Sequence, residues 1–309
     1  GGNNIGIGYE TLEGSSTASN NSGTGNVAIG YYAGQVVTSG SYNLLLGPSA
    51  GKNLSTGSDN VALGRCSVAG SVLTGNYNFA GGYRSLHYVD SGTNNIALGC
   101  IAGGCITSGS DNIALGQLSL GGAYVTGNYN IAFGKEAGKA ITSGLNNILL
   151  GKCAGTAINQ GQNHIMIGLD AGKASTGASY TNVYLGIYAG QNTTTGSFNF
   201  YGQNSAGGCQ KTGCYNVALG VNALKGSSTI NNNTAANNVA LGQGAGWCIS
   251  SGEDNIALGQ QSMGTGVVTG SDNISLGKQS GRVITSGSYN VMIGLEAGKS
   301  LVSGNRNAM

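Results

Sequence analysis

The sequence is short of proline and of charge. One residue of 309 is Pro, and only 8% are Asp, Glu, Lys or Arg. Collagen is excluded, because its triple helix needs Pro-rich Gly-X-Y triplets and the 59 glycines follow no such period. A charged, disordered chain is excluded as well, because 39% of the residues are hydrophobic. The net charge of +2, without a basic block, leaves nothing that would bind nucleic acid.

Long apolar runs and targeting signals are also missing. No stretch of about 18 apolar residues occurs, so neither a transmembrane helix nor membrane insertion is predicted. No secretory signal is found. The chain begins at Gly1 without a Met and ends at Met309 part-way through a repeat. We therefore expect residues 1–309 to form a single elongated repeat array of about 18 rungs, truncated at both ends.

Metal and disulfide chemistry has little support. The seven cysteines are odd in number and irregularly spaced, which argues against a disulfide framework. Only His87 and His164 could complete a zinc site, so no metal and no cofactor is predicted. The cysteines are expected to act as small buried hydrophobic residues.

What the sequence does contain is one phrase, seen in Asn112-Ile113-Ala114-Leu115-Gly116, that returns every 17 or 18 residues with two gaps of 22. Its first position is Asn in 17 of 18 copies and His164 in the other. Such a period indicates a repeat architecture. Stacked about 4.8 Å apart, these amides can hydrogen-bond along the stack. The predicted ladder is Asn26, Asn43, Asn60, Asn78, Asn95, Asn112, Asn130, Asn147, Asn182, Asn199, Asn216, Asn238, Asn255, Asn273 and Asn290.

Each repeat reads as a coil of short extended segments. Ile113 and Leu115 alternate with Ala114, which is typical of a strand, and Gly116 marks a corner that recurs at nearly every rung. A small residue, a β-branched stretch such as Ile141-Thr142 and a Ser-Gly or Thr-Gly turn follow. Two short strands and two turns per repeat predict an all-β fold, a β-solenoid or β-prism fibre of 17–18-residue rungs.

The middle residue of the phrase predicts contacts between copies of the chain. In a single solenoid it should be polar and face water, yet it is mostly apolar, the pattern of a strand buried on both sides. We therefore expect one face to pack against copies of the chain around a symmetry axis, as a homotrimer. The predicted contact column includes Ala62, Ala97, Ala114, Leu149, Met166, Tyr184 and Met292.

Some rungs carry a larger residue where most have the second Gly. The two 22-residue repeats correspond to each other at Thr11–Thr17 and at positions 223–229, and are expected to form loops on one side of the array. The larger residues are Leu12, Val68, Leu86, Leu120, Leu224 and Met263.

Three segments of the chain resemble the repeats of known fibre proteins. The segment Gly40–Gly47, read as GSYNLLLG, and the segment Ser271–Lys278 resemble the TGSNNVxIGxxAG repeats of phage tail fibres and of bacterial surface proteins with a chaperone domain. Residues 26–33 are similar to the head repeats of trimeric autotransporter adhesins, although those repeats are shorter. The resemblance covers nearly the whole chain, and it implies a trimeric, β-rich fibre for attachment. No chaperone domain or membrane anchor is recognised.

No catalytic arrangement is found, so no enzyme is predicted. The segment Gly294–Ser300 is one residue short of a phosphate-binding loop and lies at a repeat corner. Asp59, Asp111, Asp254 and Asp272 share one column, which indicates a solvated row; carboxylates from different chains could still meet in a glycosidase site. The aromatic residues either stack on sugars or pack between rungs and chains; examples are Tyr31, Tyr32, Tyr83, Tyr124, Tyr180 and Trp247.

The function expected from the sequence is structural. The chain would be the shaft of a trimeric fibre in a virion tail or on a cell surface, with itself as partner and a host glycan or protein as receptor. Alternatives are a bacterial extracellular adhesin or filament, and an ice-binding solenoid. The last has one Thr per rung, as at Thr74 and Thr126, but no Thr-x-Thr pair.

Overall fold

The structure is a computed structural model that describes residues 1–17, 20–176, 179–227 and 233–309. The chain divides into two compact units, Gly1–Lys152 and Cys153–Met309. Both units are built from the same rung, and no α-helix forms within the described ranges.

The first unit contains nine parallel strands of three residues each. Every strand pairs with the next one along the chain, and equivalent residues lie side by side: Ile113 beside Ile131, and Ala114 beside Ala132. The strands are β1 (Ile5–Ile7), β2 (Val27–Ile29), β3 (Leu44–Leu46), β4 (Val61–Leu63), β5 (Phe79–Gly81), β6 (Ile96–Leu98), β7 (Ile113–Leu115), β8 (Ile131–Phe133) and β9 (Ile148–Leu150).

The second unit repeats the arrangement with eight strands. The phrase that starts at Asn307 adds only a bridge, between Val291 and Ala308. The strands are β10 (Ile165–Ile167), β11 (Val183–Leu185), β12 (Phe200–Gly202), β13 (Val217–Leu219), β14 (Val239–Leu241), β15 (Ile256–Leu258), β16 (Ile274–Leu276) and β17 (Val291–Ile293), each parallel to the next.

The fold is a parallel β-solenoid, which confirms the all-β prediction. The expected second strand of each rung is wrong, because that stretch is reduced to isolated bridges such as Ile106 with Val125. Successive rungs still pair there through turn backbone, as in the hydrogen bond of 2.8 Å from the Gly103 N–H to the Ser119 carbonyl. Left-handed residues such as Ile101 (φ 57°) and Gly103 (φ 55°) keep this backbone from extending.

The corner after the strand is glycine in every rung but one, where Gln203 takes its place. Gly116 has φ 120°, and a Cβ there would lie 2.9 Å from the carbonyl carbon of Gly134 on the next rung. At Gly116 both the backbone angle and the close approach of the two rungs disfavour a side chain. This agrees with the corner predicted from the sequence.

From β2 to β17, the middle residue of each strand points into the chain's own core. This corrects the expectation that the column contacts other copies, because all seven predicted residues have no exposed surface in the single chain: Ala62, Ala97, Ala114, Leu149, Met166, Tyr184 and Met292. The physical reason is that the coil closes on this side of the strand, so the first and third residues of the strand face outward instead.

Residue sizes across the core are complementary. A large middle residue is matched by Gly six positions later, as in Leu149 with Gly155, whereas Leu120 is matched by Ala114. At Gly34, where both positions are small, an added Cβ would meet Leu45 at 2.7 Å, so the next rung fills the space. Interiors pack densely, and this exchange reduces the variation in core volume from rung to rung. The larger residues Val68, Leu86, Leu120, Leu224 and Met263 are therefore core residues, Leu12 is half-buried, and all six have left-handed φ between 46° and 52°.

The 22-residue repeats lie only partly within the described residues. In the first, the Asn21 side chain accepts the N–H of Ser15 at 2.8 Å and donates to its carbonyl at 2.9 Å, which closes a local loop. In the second, Asn233 makes the equivalent pair with Ser227. The predicted loop positions Ser228 and Thr229 lie outside the described residues.

One segment of the second unit has a polar core. Tyr184 and Tyr201 are fully buried and stack with ring centroids 5.2 Å apart. Their hydroxyls, and those of Ser175 and Thr193, make no hydrogen bond of normal geometry within the described residues. Burial raises the pKa of both tyrosines, so both stay neutral.

Candidate interaction face

The asparagine ladder holds each strand in register. The Oδ1 of Asn95 accepts two bonds from Asn112, from its backbone N–H at 3.0 Å and from its side-chain Nδ2 at 3.1 Å. The same Nδ2 donates to the carbonyl of Gly127 at 3.0 Å, which ties the strand to the turn of the next rung. The fifteen predicted asparagines are at most 2% exposed. The column thus provides hydrogen-bond partners for buried backbone groups and keeps each strand in register with the one before it.

His164 occupies the ladder position of β10. Its Nδ1 accepts the N–H of Asn182 at 3.1 Å, and its Nε2 lies 3.1 Å from the hydroxyl of Ser179. Burial lowers the pKa of His164 to about 4, because the charged ring would lose its hydration. The ring is neutral at pH 7 and serves there as an acceptor in place of an amide oxygen.

The first and third residues of the strands form two outward columns of apolar side chains, which we call the outer face. All strand residues are uncharged, and the columns hold Ile, Val, Leu and Phe except at Gly81 and Gly202. The most exposed members in the first unit are Ile5, Ile7, Ile29, Phe79, Ile96, Leu98 and Phe133; in the second unit they are Ile167, Leu185, Phe200, Leu219 and Ile293. Exposed apolar patches of this extent mark sites of contact with other molecules.

A cavity interrupts the outer face of the second unit at Gly202. It has a volume of about 600 Å³ and is open to solvent. Gln203 lies at the corner with φ 88°, in a column that is Gly in the sixteen other rungs. The lining residues are Leu185, Phe200, Gly202, Gln203, Leu219, Gly220, Val221 and Gln243.

Aromatic side chains also line an edge of the stack, next to the ladder. Tyr77 and Tyr129 directly precede ladder asparagines, have φ near 60° and are about three-fifths exposed. In the second unit, Phe198 and Tyr215 of the same column stack with centroids 5.1 Å apart. Among the aromatic residues singled out from the sequence, Tyr31, Tyr124 and Tyr180 are exposed. Exposed rings of this kind offer stacking surfaces for sugars or protein side chains.

The carboxylates, histidines and cysteines are spread over the described residues. The carboxylates Asp59, Asp254 and Asp272 are exposed along one column. No three His, Cys, Asp or Glu side chains come together as a metal-binding group within the described ranges. All seven cysteines are free thiols, and only Cys153 is buried, so the expectation that they fill the core is wrong for the other six. They lie in turns, where the core positions are taken by neighbouring residues.

The outer face was missed in the sequence because both faces of the strand are apolar. A signal was nevertheless present: middle residues and the residues six positions later exchange size, which indicates that both belong to one core. The flanking columns show no such exchange with the turn residues.

No helix in the described part of the chain is long and apolar enough to cross a membrane. No protein-family model matches the chain, and no curated protein matches it.

Proposed function

We propose that this chain is the shaft of a homotrimeric attachment fibre, in a virion tail or on a cell surface, whose copies pack through their outer faces. The observation that carries the proposal is the two outward columns of Ile, Val, Leu and Phe residues on both units, broken only at Gly81 and Gly202. An apolar surface of this extent is stabilised by burial, at about 25 cal/mol per Å².

The area of the face fits a stable contact between copies. In the second unit, fifteen large apolar side chains and Gly202 occupy the two columns. If each side chain offers roughly 150 Å² in full and about a third is accessible, the unit presents on the order of 750 Å². A stable interface buries about 800 Å² on each partner. A second copy is therefore a sufficient partner, and it needs no charge complementarity because the strands carry no charge.

The number of copies follows from the resemblance to trimeric fibres rather than from the face itself. Closed ring symmetry buries the same face on every copy and leaves no unpaired one. The exposed tyrosines beside the ladder stay outside the contact, where they are available to a glycan or protein receptor. Three copies of a weak site on a stiff support bind with far greater avidity than one.

The test is the oligomeric mass of the isolated chain, measured by light scattering and by native mass spectrometry. We expect three times the 30.6 kDa chain mass. Phe133→Lys places a charge in the outer face and is expected to give the monomer mass at concentrations where the unaltered chain is assembled. Tyr129→Lys is the matched control, because Tyr129 and Phe133 are both 59% exposed and lie in the same rung.

A monomer at all concentrations would overturn the proposal, and so would equal dissociation by the two variants. A bacterial extracellular adhesin or filament would have the same architecture. It differs from a virion tail fibre only in where the fibre is anchored.

A further inference from the structure

Two rungs depart from the outer-face pattern in the same way. β5 begins with Phe79 and ends with Gly81, and β12 begins with Phe200 and ends with Gly202. No other strand starts with Phe, and β1 to β17 otherwise end in Ile, Leu or Phe. One such rung lies in each unit. A gain of volume in the first column thus coincides both times with a loss of volume in the third.

Within one chain, the leucine of the next rung takes part of the space over each glycine, and beside Gly202 a gap remains. A Cβ on Gly202 would lie 2.7 Å from the Cδ2 of Leu219, and one on Gly81 would lie 2.6 Å from the Cδ2 of Leu98, so the next leucine leans over each glycine. The open cavity of about 600 Å³ remains beside Gly202 although Phe200 lines it, and Phe200 stays 36% exposed. The phenylalanine does not close the gap in its own chain.

Symmetry determines which columns meet between copies. If the axis runs along the stack of rungs, each strand points the same way around it, so the start of one strand meets the end of the next copy's strand at the same height. If a twofold axis runs along the strand direction, starts face starts. Only the first arrangement brings the first column of one copy against the third column of another.

We propose that Phe79 and Phe200 of each copy insert over Gly81 and Gly202 of the adjacent copy and so set the register of the assembly. The inference rests on the proposed association through the outer faces. A solenoid of similar rungs has little to prevent a slip by one rung, because Ile, Val and Leu replace one another with little loss. A slip would bring Phe200 against Leu185 or Leu219 and leave the gap at Gly202 empty.

The strained corner supports a special role for this rung. Gln203 adopts φ 88° where the equivalent position is otherwise Gly, a conformation that costs free energy for a residue with a side chain. Gln203 and Gln243 provide the polar rim of an otherwise apolar cavity. An aromatic ring entering it would have apolar walls and amide groups at its edge.

The experiment is a double-mutant cycle in the full chain. Gly202→Leu fills the gap, and Phe200→Ile removes the aromatic ring that the adjacent copy would place there. The double variant recreates the Ile and Leu ends found in β7 and β15. We expect each single change to raise the dissociation constant of the assembly at least about tenfold, and the double variant to return it to within about threefold of the unaltered chain. Sedimentation at several concentrations measures these constants.

Urea unfolding at a fixed, dissociating concentration separates association from folding. If the single changes shift only this unfolding midpoint, Phe200 acts within its own chain and the inference fails. If the unaltered chain assembles and the single changes leave its dissociation constant unchanged, the inference fails while the proposed fibre stands. A chain that never assembles overturns both.

Discussion

Replacing Asn112 by Ala tests whether the ladder holds the rungs together. The Asn112 Oδ1 accepts the N–H of Asn130 at 3.0 Å, and its Nδ2 donates to the Gly127 carbonyl at 3.0 Å. Both backbone groups are buried, and neither has another hydrogen bond among those described. Leaving a buried polar group unpaired costs about 1–3 kcal/mol, so the two together predict a loss of about 2–6 kcal/mol.

The free energy of unfolding of the first unit would be measured by urea denaturation followed by circular dichroism, at one chain concentration because association adds to stability. Hydrogen exchange adds a local measurement, since the Asn130 amide should lose its protection. Thr126→Ala is the control in the same rung: Thr126 is exposed, its hydroxyl lies 3.5 Å from the Thr142 carbonyl, and the expected change is within about 0.5 kcal/mol.

A loss below about 1 kcal/mol with Asn130 still protected would refute the reasoning. It would mean that these backbone groups form hydrogen bonds with other partners. The ladder would then be a consequence of the strand register and would not stabilise it.

Two further predictions concern the core. The pKa of His164 is about 4 in the folded chain against an ordinary value of 6.5, so above pH 6.5 protonation has no effect. As the pH falls from about 6.5 to about 4, the unfolded chain alone takes up the proton, and stability should decrease by up to about 3 kcal/mol. His164→Asn should flatten this part of a pH series of urea unfolding curves, and an unaltered slope would contradict the assignment. Ala114→Leu should overpack the core and cost about 1–3 kcal/mol, whereas adding Leu120→Gly should recover most of that loss in thermal unfolding. If the double variant is less stable than the single one, the two positions do not share a volume.

Much of the fold could be predicted because the same residue pattern recurs in every rung. The Asn column, the corner Gly and the short apolar phrase recur at one period, so local preferences and the stacking agree at each turn. The expected second strand was wrong for a local reason. Residues such as Ile101 and Leu118 adopt φ near 58° at positions where their side chains alone would favour extended backbone.

The candidate site was predicted less well. A strand has two faces, and because both are apolar here the residues do not indicate which face is buried. Ala114 and Leu149 suit a core and a contact between chains equally. Their place became clear only from the closed coil, in which both are fully buried within their own chain.

The sequence by itself determined the period, the all-β solenoid and the column of buried amides, because these depend on contacts between equivalent residues of neighbouring rungs. Only the tertiary structure decided which face of the strand is enclosed. That depends on the direction in which the turn residues return the chain to the next strand. Many of these residues adopt left-handed conformations, which cannot be predicted from a non-glycine side chain. The outward columns, with Phe200 beside Gly202, became a candidate contact only once that direction was known.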